Sequence, residues 1–99
     1  MNEKDLNYYY IGCKFIIEHY GIEKQKIQLI QELSELITAL TKGDLQNIIE
    51  EIADVQVMLD QFSIKYPIYD KKIGFIQLEK VKRQLARIKE EKEKQEIPK

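Results

Sequence analysis

A chain of 99 residues is long enough for one domain with a modest core and short enough that association with further copies would add useful burial. Its net charge of −1, with 33% of residues charged, argues against a nucleic-acid binder driven by overall positive charge, and no apolar run approaches the length of a membrane span. The single cysteine, Cys13, excludes an intrachain disulfide and reads as a small core residue, and the first residues lack the basic and long apolar regions of a signal peptide, so a cytoplasmic setting is expected.

In chain order, a first helix is expected from a cap at Asp5 to about Tyr20, with Leu6, Tyr9, Tyr10, Cys13, Ile16, Ile17 and Tyr20 at helical spacing and Gly21 as its stop. Tyr8, Tyr9 and Tyr10 are adjacent, and aromatic residues on such a pattern belong to a core or an interface more often than to a base-stacking site. His19 is the only histidine, and it has no ExxH pattern around it, which removes a di-iron carboxylate bundle. A surface or helix-end position is expected for it.

A second helix should begin at residues 22–24 and end at Lys42, where Gly43 suits a left-handed C′ position and Asp44 suits the next N-cap. So short a connection implies antiparallel neighbours, hence a central helical hairpin. On the second helix Ile30, Leu33, Leu36, Ile37 and Leu40 form an expected apolar stripe, with Glu32 at its margin and Glu35 one step further out. On the third, Ile48, Ile52, Val55, Leu59 and Phe62 form the stripe, and Glu51, Asp54 and Met58 follow its edge.

Both acidic pairs, Glu32 with Glu35 and Glu51 with Asp54, are spaced i,i+3, which places each pair on nearly one face of a helix turning about 100° per residue. Across an antiparallel seam such carboxylates would approach one another, and two like charges about 5 Å apart repel by roughly 3 kcal/mol at an effective dielectric near 20. A hard divalent cation turns that repulsion into coordination, because Mg²⁺ takes oxygen ligands and leaves positions for water and substrate phosphates. Solvated helix-edge acids are the alternative that spacing alone leaves open.

The third helix carries a further apolar line at Ala53, Val57 and Ile64, and a helix apolar on two faces is expected to be covered by another subunit. Pro67 ends that helix, residues 66–69 read as a loop, and Asp70 as the next cap. The last helix has Leu78, Val81, Leu85 and Ile88 on one side, while Lys80, Arg83 and Arg87 share another at i, i+3 and i+7, a basic row able to receive phosphates or simply a solvated face. Over residues 89–99 the chain is almost wholly charged, so a frayed tail is expected, with Pro98 unable to extend it. The expected architecture is therefore a single all-α domain over residues 1–99, a four-helix, bundle-like arrangement completed by oligomerisation.

The segment QKIQLIQELSELITAL followed by IIEEIADVQVMLDQF resembles the all-α nucleotide pyrophosphohydrolases of the MazG-like superfamily, whose signature is an ExxE on one helix and an ExxD on the next, here ELSE and EIAD. The resemblance covers residues 22–62 most strongly and the final helix, through KVKRQLARI, more weakly. It implies a helical bundle assembling as a dimer or tetramer that hydrolyses nucleoside triphosphates to the monophosphate and pyrophosphate with Mg²⁺, Mn²⁺ being the natural substitute. By motif position it makes Glu32, Glu35, Glu51 and Asp54 the metal ligands; a carboxylate not fully used in coordination, Glu32 or Glu35, would then orient or deprotonate the attacking water, and Lys80, Arg83 and Arg87, on a helix that varies across the superfamily, are candidate phosphate contacts. Many relatives carry an acid directly before the first motif glutamate, where this chain has Gln31. A reading of another class is a non-enzymatic helical interaction module that keeps the motif as a nucleotide sensor. Neither a membrane nor a nucleic acid is an expected partner.

Overall fold

The computed structural model describes residues 1–96. The protein is all-α: helices α1 (Glu3–Tyr20), α2 (Ile22–Lys42), α3 (Leu45–Lys65) and α4 (Pro67–Glu96) follow one another, with no strand among the described residues. No helix among these residues is long and apolar enough to cross a membrane. The chain divides after Pro67 into two compact units, the first holding α1, α2 and α3 and the second the body of α4.

Local chemistry accounts for the helix boundaries. Asn2, not Asp5, is the N-cap of α1: the Asp5 N–H donates to Asn2 Oδ1 at 2.8 Å, and the Asn2 N–H donates to Asp5 Oδ2 at 3.4 Å. Asp5 is thus the third residue of the helix and the reciprocal half of a capping box, two orphan donors being satisfied at once. Gly21 separates α1 from α2 at a φ of 87°, a region that L side chains rarely adopt, and its N–H donates to the Ile17 carbonyl at 2.9 Å. Gly43 closes α2 in the left-handed conformation, and Asp44 opens α3 by accepting from the N–H groups of Gln46 and Asn47 at 3.2 and 3.5 Å, both as the sequence suggests.

The expected loop at residues 66–69 shrinks to Tyr66 alone. Its N–H donates to the Phe62 carbonyl at 2.9 Å, and Pro67 begins α4 directly. Proline is excluded from a helix interior for want of an N–H, but at the first helical position that N–H would be an orphan anyway, so Pro67 ends one helix and starts the next. Asp70 accordingly lies inside the first turn of α4, where its charge favours the positive end of the helix dipole. The helix runs on through the charged stretch to Glu96, and Pro98 lies outside the described residues.

Within the first unit the three helices pack on one another, α2 and α3 most extensively. Cys13 and Ile17 from α1, Ala39 from α2, and Val55 and Met58 from α3 are its buried apolar residues, and Gln25 and Gln61 are buried with them. The buried and half-buried line on α2 is Ile22, Gln25, Leu29, Glu32, Leu36 and Ala39, and on α3 it is Ile48, Glu51, Val55, Met58 and Phe62, both at alternating three- and four-residue steps.

This corrects the expected stripes. Ile30, Leu33, Ile37 and Leu40 on α2, and Ile52 and Leu59 on α3, are exposed, the first of them at 67%. Each helix carries two parallel apolar lines offset by one residue, about 100° around the helix, and packing selects the one with the small Ala39 on α2 and the pair-forming glutamines Gln25 and Gln61. The other line faces outward. On α3 that outward line is Leu45, Ile49, Ile52 and Leu59, whereas Val57 and Ile64 are half-buried within the chain and only Ala53 of that expected line is exposed.

Candidate functional site

The inward line on α2 contains an acid, Glu32, and the inward line on α3 contains another, Glu51, so the seam between these helices brings carboxylates together. Glu32, Glu35 and Glu51 each present an oxygen, and these three atoms lie within 4.8 Å of one another. Glu32 and Glu51 are half-buried and Glu35 is exposed. Glu32 Oε2 and Glu51 Oε2 are both shut off from solvent and lack a hydrogen-bond partner. A buried carboxylate oxygen without a donor is costly, since the desolvation of the group goes uncompensated. Two such oxygens among three converging acids are the opposite of a solvated helix edge.

Electrostatics reflect the crowding. Burial is the largest influence pushing the Glu51 carboxyl above its ordinary pKa, followed by the charges of Glu35, Asp54 and Glu32. Both burial and negative neighbours disfavour the ionised form, so the proton is the nearest available substitute for a missing counter-charge. All the donors in the cluster are hard carboxylate oxygens, a set that suits Mg²⁺, Mn²⁺ or Ca²⁺ rather than a softer metal.

The fourth acid of the two motifs, Asp54, stands outside this group. It is exposed, and its part in the geometry is as one of the charges acting on Glu51. With Val55 and Met58 turned inward, the position three residues after Glu51 falls on the rim of the seam, and aspartate is one methylene shorter than glutamate. Lys80, Arg83 and Arg87 lie on α4, exposed, along one side at the spacing read from the sequence.

Two polar features escape a reading by motif. Gln28 Nε2 donates to Glu32 Oε1 at 2.9 Å, so one oxygen of that carboxylate is held while the other, Oε2, is buried without a partner. The signal was present as an i,i+4 Gln–Glu pair. Further along the same seam Gln25 Nε2 donates to Gln61 Oε1 at 2.8 Å, and Gln61 Nε2 lies 3.8 Å from Met58 Sδ. Only the spacing of Gln25, Leu29, Glu32, Leu36 and Ala39 would have revealed that a glutamine faces inward.

The aromatic start of the chain is divided in the same way. Tyr9 is half-buried and its hydroxyl donates to Asp60 Oδ2 at 2.7 Å, tying α1 to α3, while Tyr8 and Tyr10 are exposed. Burial first, and then the hydrogen bond to Asp60, push the Tyr9 hydroxyl well above the ordinary tyrosine range. Cys13 is buried beside it, and burial raises its thiol as well, the reverse of what an attacking thiolate needs. His19 sits in the last turn of α1, stacked on Phe15 with ring centroids 6.0 Å apart and edge-on to Tyr20 at 4.8 Å, in keeping with a helix-end role.

Compared with protein-family models, with curated proteins and with solved structures, the chain finds no match.

Proposed function

We propose that the protein is a Mg²⁺-dependent nucleotide pyrophosphohydrolase of the MazG-like kind, converting a ribo- or deoxyribonucleoside triphosphate to the monophosphate and pyrophosphate. The observation that carries this reading is the convergence of Glu32 and Glu35 from ELSE with Glu51 from EIAD, two of their oxygens being buried without a donor. Those orphaned oxygens are what a cation would satisfy, and their chemistry fits Mg²⁺ or Mn²⁺. Glu32, Glu35 and Glu51 are the proposed ligands, and Asp54 on the rim is the fourth, by its place in the motif.

A bound divalent cation supplies neutralisation of phosphate charge and a more acidic water, which is what hydrolysis of a phosphoanhydride requires. Among the chain's own groups, Glu35 is the better placed to orient the attacking water or accept its proton, because it is the exposed acid of the cluster while one Glu32 oxygen is already taken by Gln28. Burial and its acidic neighbours favour the protonated form of Glu51, which competes with a cation there, so loading should improve as pH rises. Lys80, Arg83 and Arg87 are proposed phosphate contacts on the strength of their shared side of α4 and the resemblance of KVKRQLARI.

The pairing along the seam supports an antiparallel hairpin: Gln25 meets Gln61 while Glu35, further on in α2, meets Glu51, earlier in α3. A homo-oligomer, dimer or tetramer, is the proposed state, supported by the exposed apolar lines Ile30, Leu33, Ile37 and Leu40 on α2 and Leu45, Ile49, Ile52 and Leu59 on α3. The same lines are what favours the second reading, a helical interaction module without turnover.

Incubation with a panel of ribo- and deoxyribonucleoside triphosphates and Mg²⁺, measuring pyrophosphate against orthophosphate, separates the two. Pyrophosphate and a monophosphate from at least one nucleotide are expected. Orthophosphate as sole product, or no turnover together with no divalent-metal binding, refutes the enzyme.

A further inference from the structure

Glu32 is a carboxylate with its two oxygens in different circumstances. Oε1 accepts a hydrogen bond from Gln28 Nε2 at 2.9 Å, Oε2 is buried without a partner, and the carboxylate offers one oxygen to the cluster with Glu35 and Glu51. The donor and acceptor stand one helical turn apart on α2, so the bond needs no other element to bring them together, and Gln28 is itself half-buried beside the inward line. An ionised carboxylate only accepts, which fixes the amide nitrogen of Gln28 as the end that faces it. Gln28 is thus the one hydrogen-bond partner seen holding the Glu32 carboxylate among the described residues.

We propose that Gln28 is a positioning residue that determines metal specificity: by occupying Oε1 it makes Glu32 a one-oxygen ligand and so favours Mg²⁺ and Mn²⁺ over Ca²⁺. This rests on the reading of the cluster as a metal site. The chemistry behind it is the difference between the cations. Ca²⁺ accommodates six to eight oxygens and readily takes both oxygens of one carboxylate, whereas Mg²⁺ demands near-octahedral geometry with short bonds and is poorly served by a two-oxygen grip. A partner that orients a ligand in this way changes metal affinity by about 10- to 100-fold when removed. Freeing Oε1 should thus harm Mg²⁺ more than Ca²⁺.

The test uses the full chain with MgCl₂, MnCl₂ or CaCl₂ alone and no nucleotide. Mn²⁺ binding is read by electron paramagnetic resonance, and Mg²⁺ and Ca²⁺ by displacement of Mn²⁺. Gln28→Met keeps an unbranched side chain of similar size and removes the donor, Gln28→Ala is a second variant should the thioether pack badly, and Glu32→Gln reports whether binding occurs at this site. In both Gln28 variants the Mg²⁺ affinity should fall by about 10- to 100-fold, with the Ca²⁺ affinity falling less, so that their ratio moves toward Ca²⁺ by about tenfold. Equal losses for both cations would mark Gln28 as merely structural, and no loss would mark it as idle; either overturns the proposal while leaving the site intact. Divalent binding that is absent from the wild type, or that survives Glu32→Gln unchanged, refutes the site itself and the role of Gln28 with it.

Discussion

Replacing Gln25 by leucine should be more damaging than replacing both Gln25 and Gln61. The two amides are 5% and 2% exposed and are joined by one 2.8 Å hydrogen bond, with only the weak acceptor Met58 Sδ otherwise close to them. Gln25→Leu removes the donor and leaves Gln61 Oε1 buried with nothing in its place; Gln61→Leu strands Gln25 Nε2 in the same way. A stranded buried polar group costs about 1–3 kcal/mol, whereas removing both partners for apolar groups of similar size is close to neutral. Taking about 2 kcal/mol for each single variant, and a shift of about 4–8 °C per kcal/mol for a domain of this size, each should melt roughly 8–16 °C lower. The double variant should recover most of that loss, so that the two single losses of about 2 kcal/mol set against a near-neutral double give a coupling of about 4 kcal/mol in the cycle. Urea unfolding followed by circular dichroism, with the four proteins at one protomer concentration so that any association is held constant, measures all the terms. Additive single effects, or a single-variant loss below about 0.5 kcal/mol, would mean that the pair is wet and that the seam is not packed as described.

The acid cluster makes a second prediction, on the apo protein. The folded-state pKa of Glu51 lies above its ordinary 4.5, so the folded chain binds the extra proton and stability falls as pH rises from 4.5 through the folded value. Glu51→Gln should therefore raise the melting temperature at neutral pH in the presence of chelator, flatten the pH dependence relative to wild type over that window, and remove the stabilisation by Mg²⁺; an equal Mg²⁺ response and an equal pH slope in both proteins would show that these acids do not converge. For association, Ile37→Asp places a charge in the outward line of α2 and should lower the mass found by sedimentation equilibrium while leaving helicity intact, because Ile37 is 65% exposed. Val57→Asp, on a half-buried position, should instead cost stability of the unit itself. An unchanged mass for Ile37→Asp, or a wild type that is monomeric at micromolar concentration, removes that line from the interface.

The sequence alone was enough for most of what depends on a few adjacent residues. The stops at Gly21 and Gly43, the cap at Asp44 and the end of α3 before Pro67 all follow from backbone conformation and from single hydrogen bonds within a turn. Even the local errors, Asp5 for Asn2 and a loop for the one-residue break at Tyr66, come from choosing between two acceptable partners within a few positions. The acidic motifs were legible for the same reason, as spacing on a single helix.

Tertiary packing decided which side of each helix faces in. α2 and α3 each carry two apolar lines, and periodicity weighs them by hydropathy, so it chose the line of Ile30, Leu33 and Ile37. A seam between helices is instead filled by shape and by satisfied polar groups: Ala39 allows close approach, Gln25 and Gln61 complete one another, and their line turns Glu32 and Glu51 inward together. The same rotation left Asp54 on the rim. A partner's donor or acceptor lies far away in the chain and leaves no periodic trace, which is why the two acidic pairs could be read from one helix at a time but which of the four acids converge, Glu32, Glu35 and Glu51 without Asp54, could not.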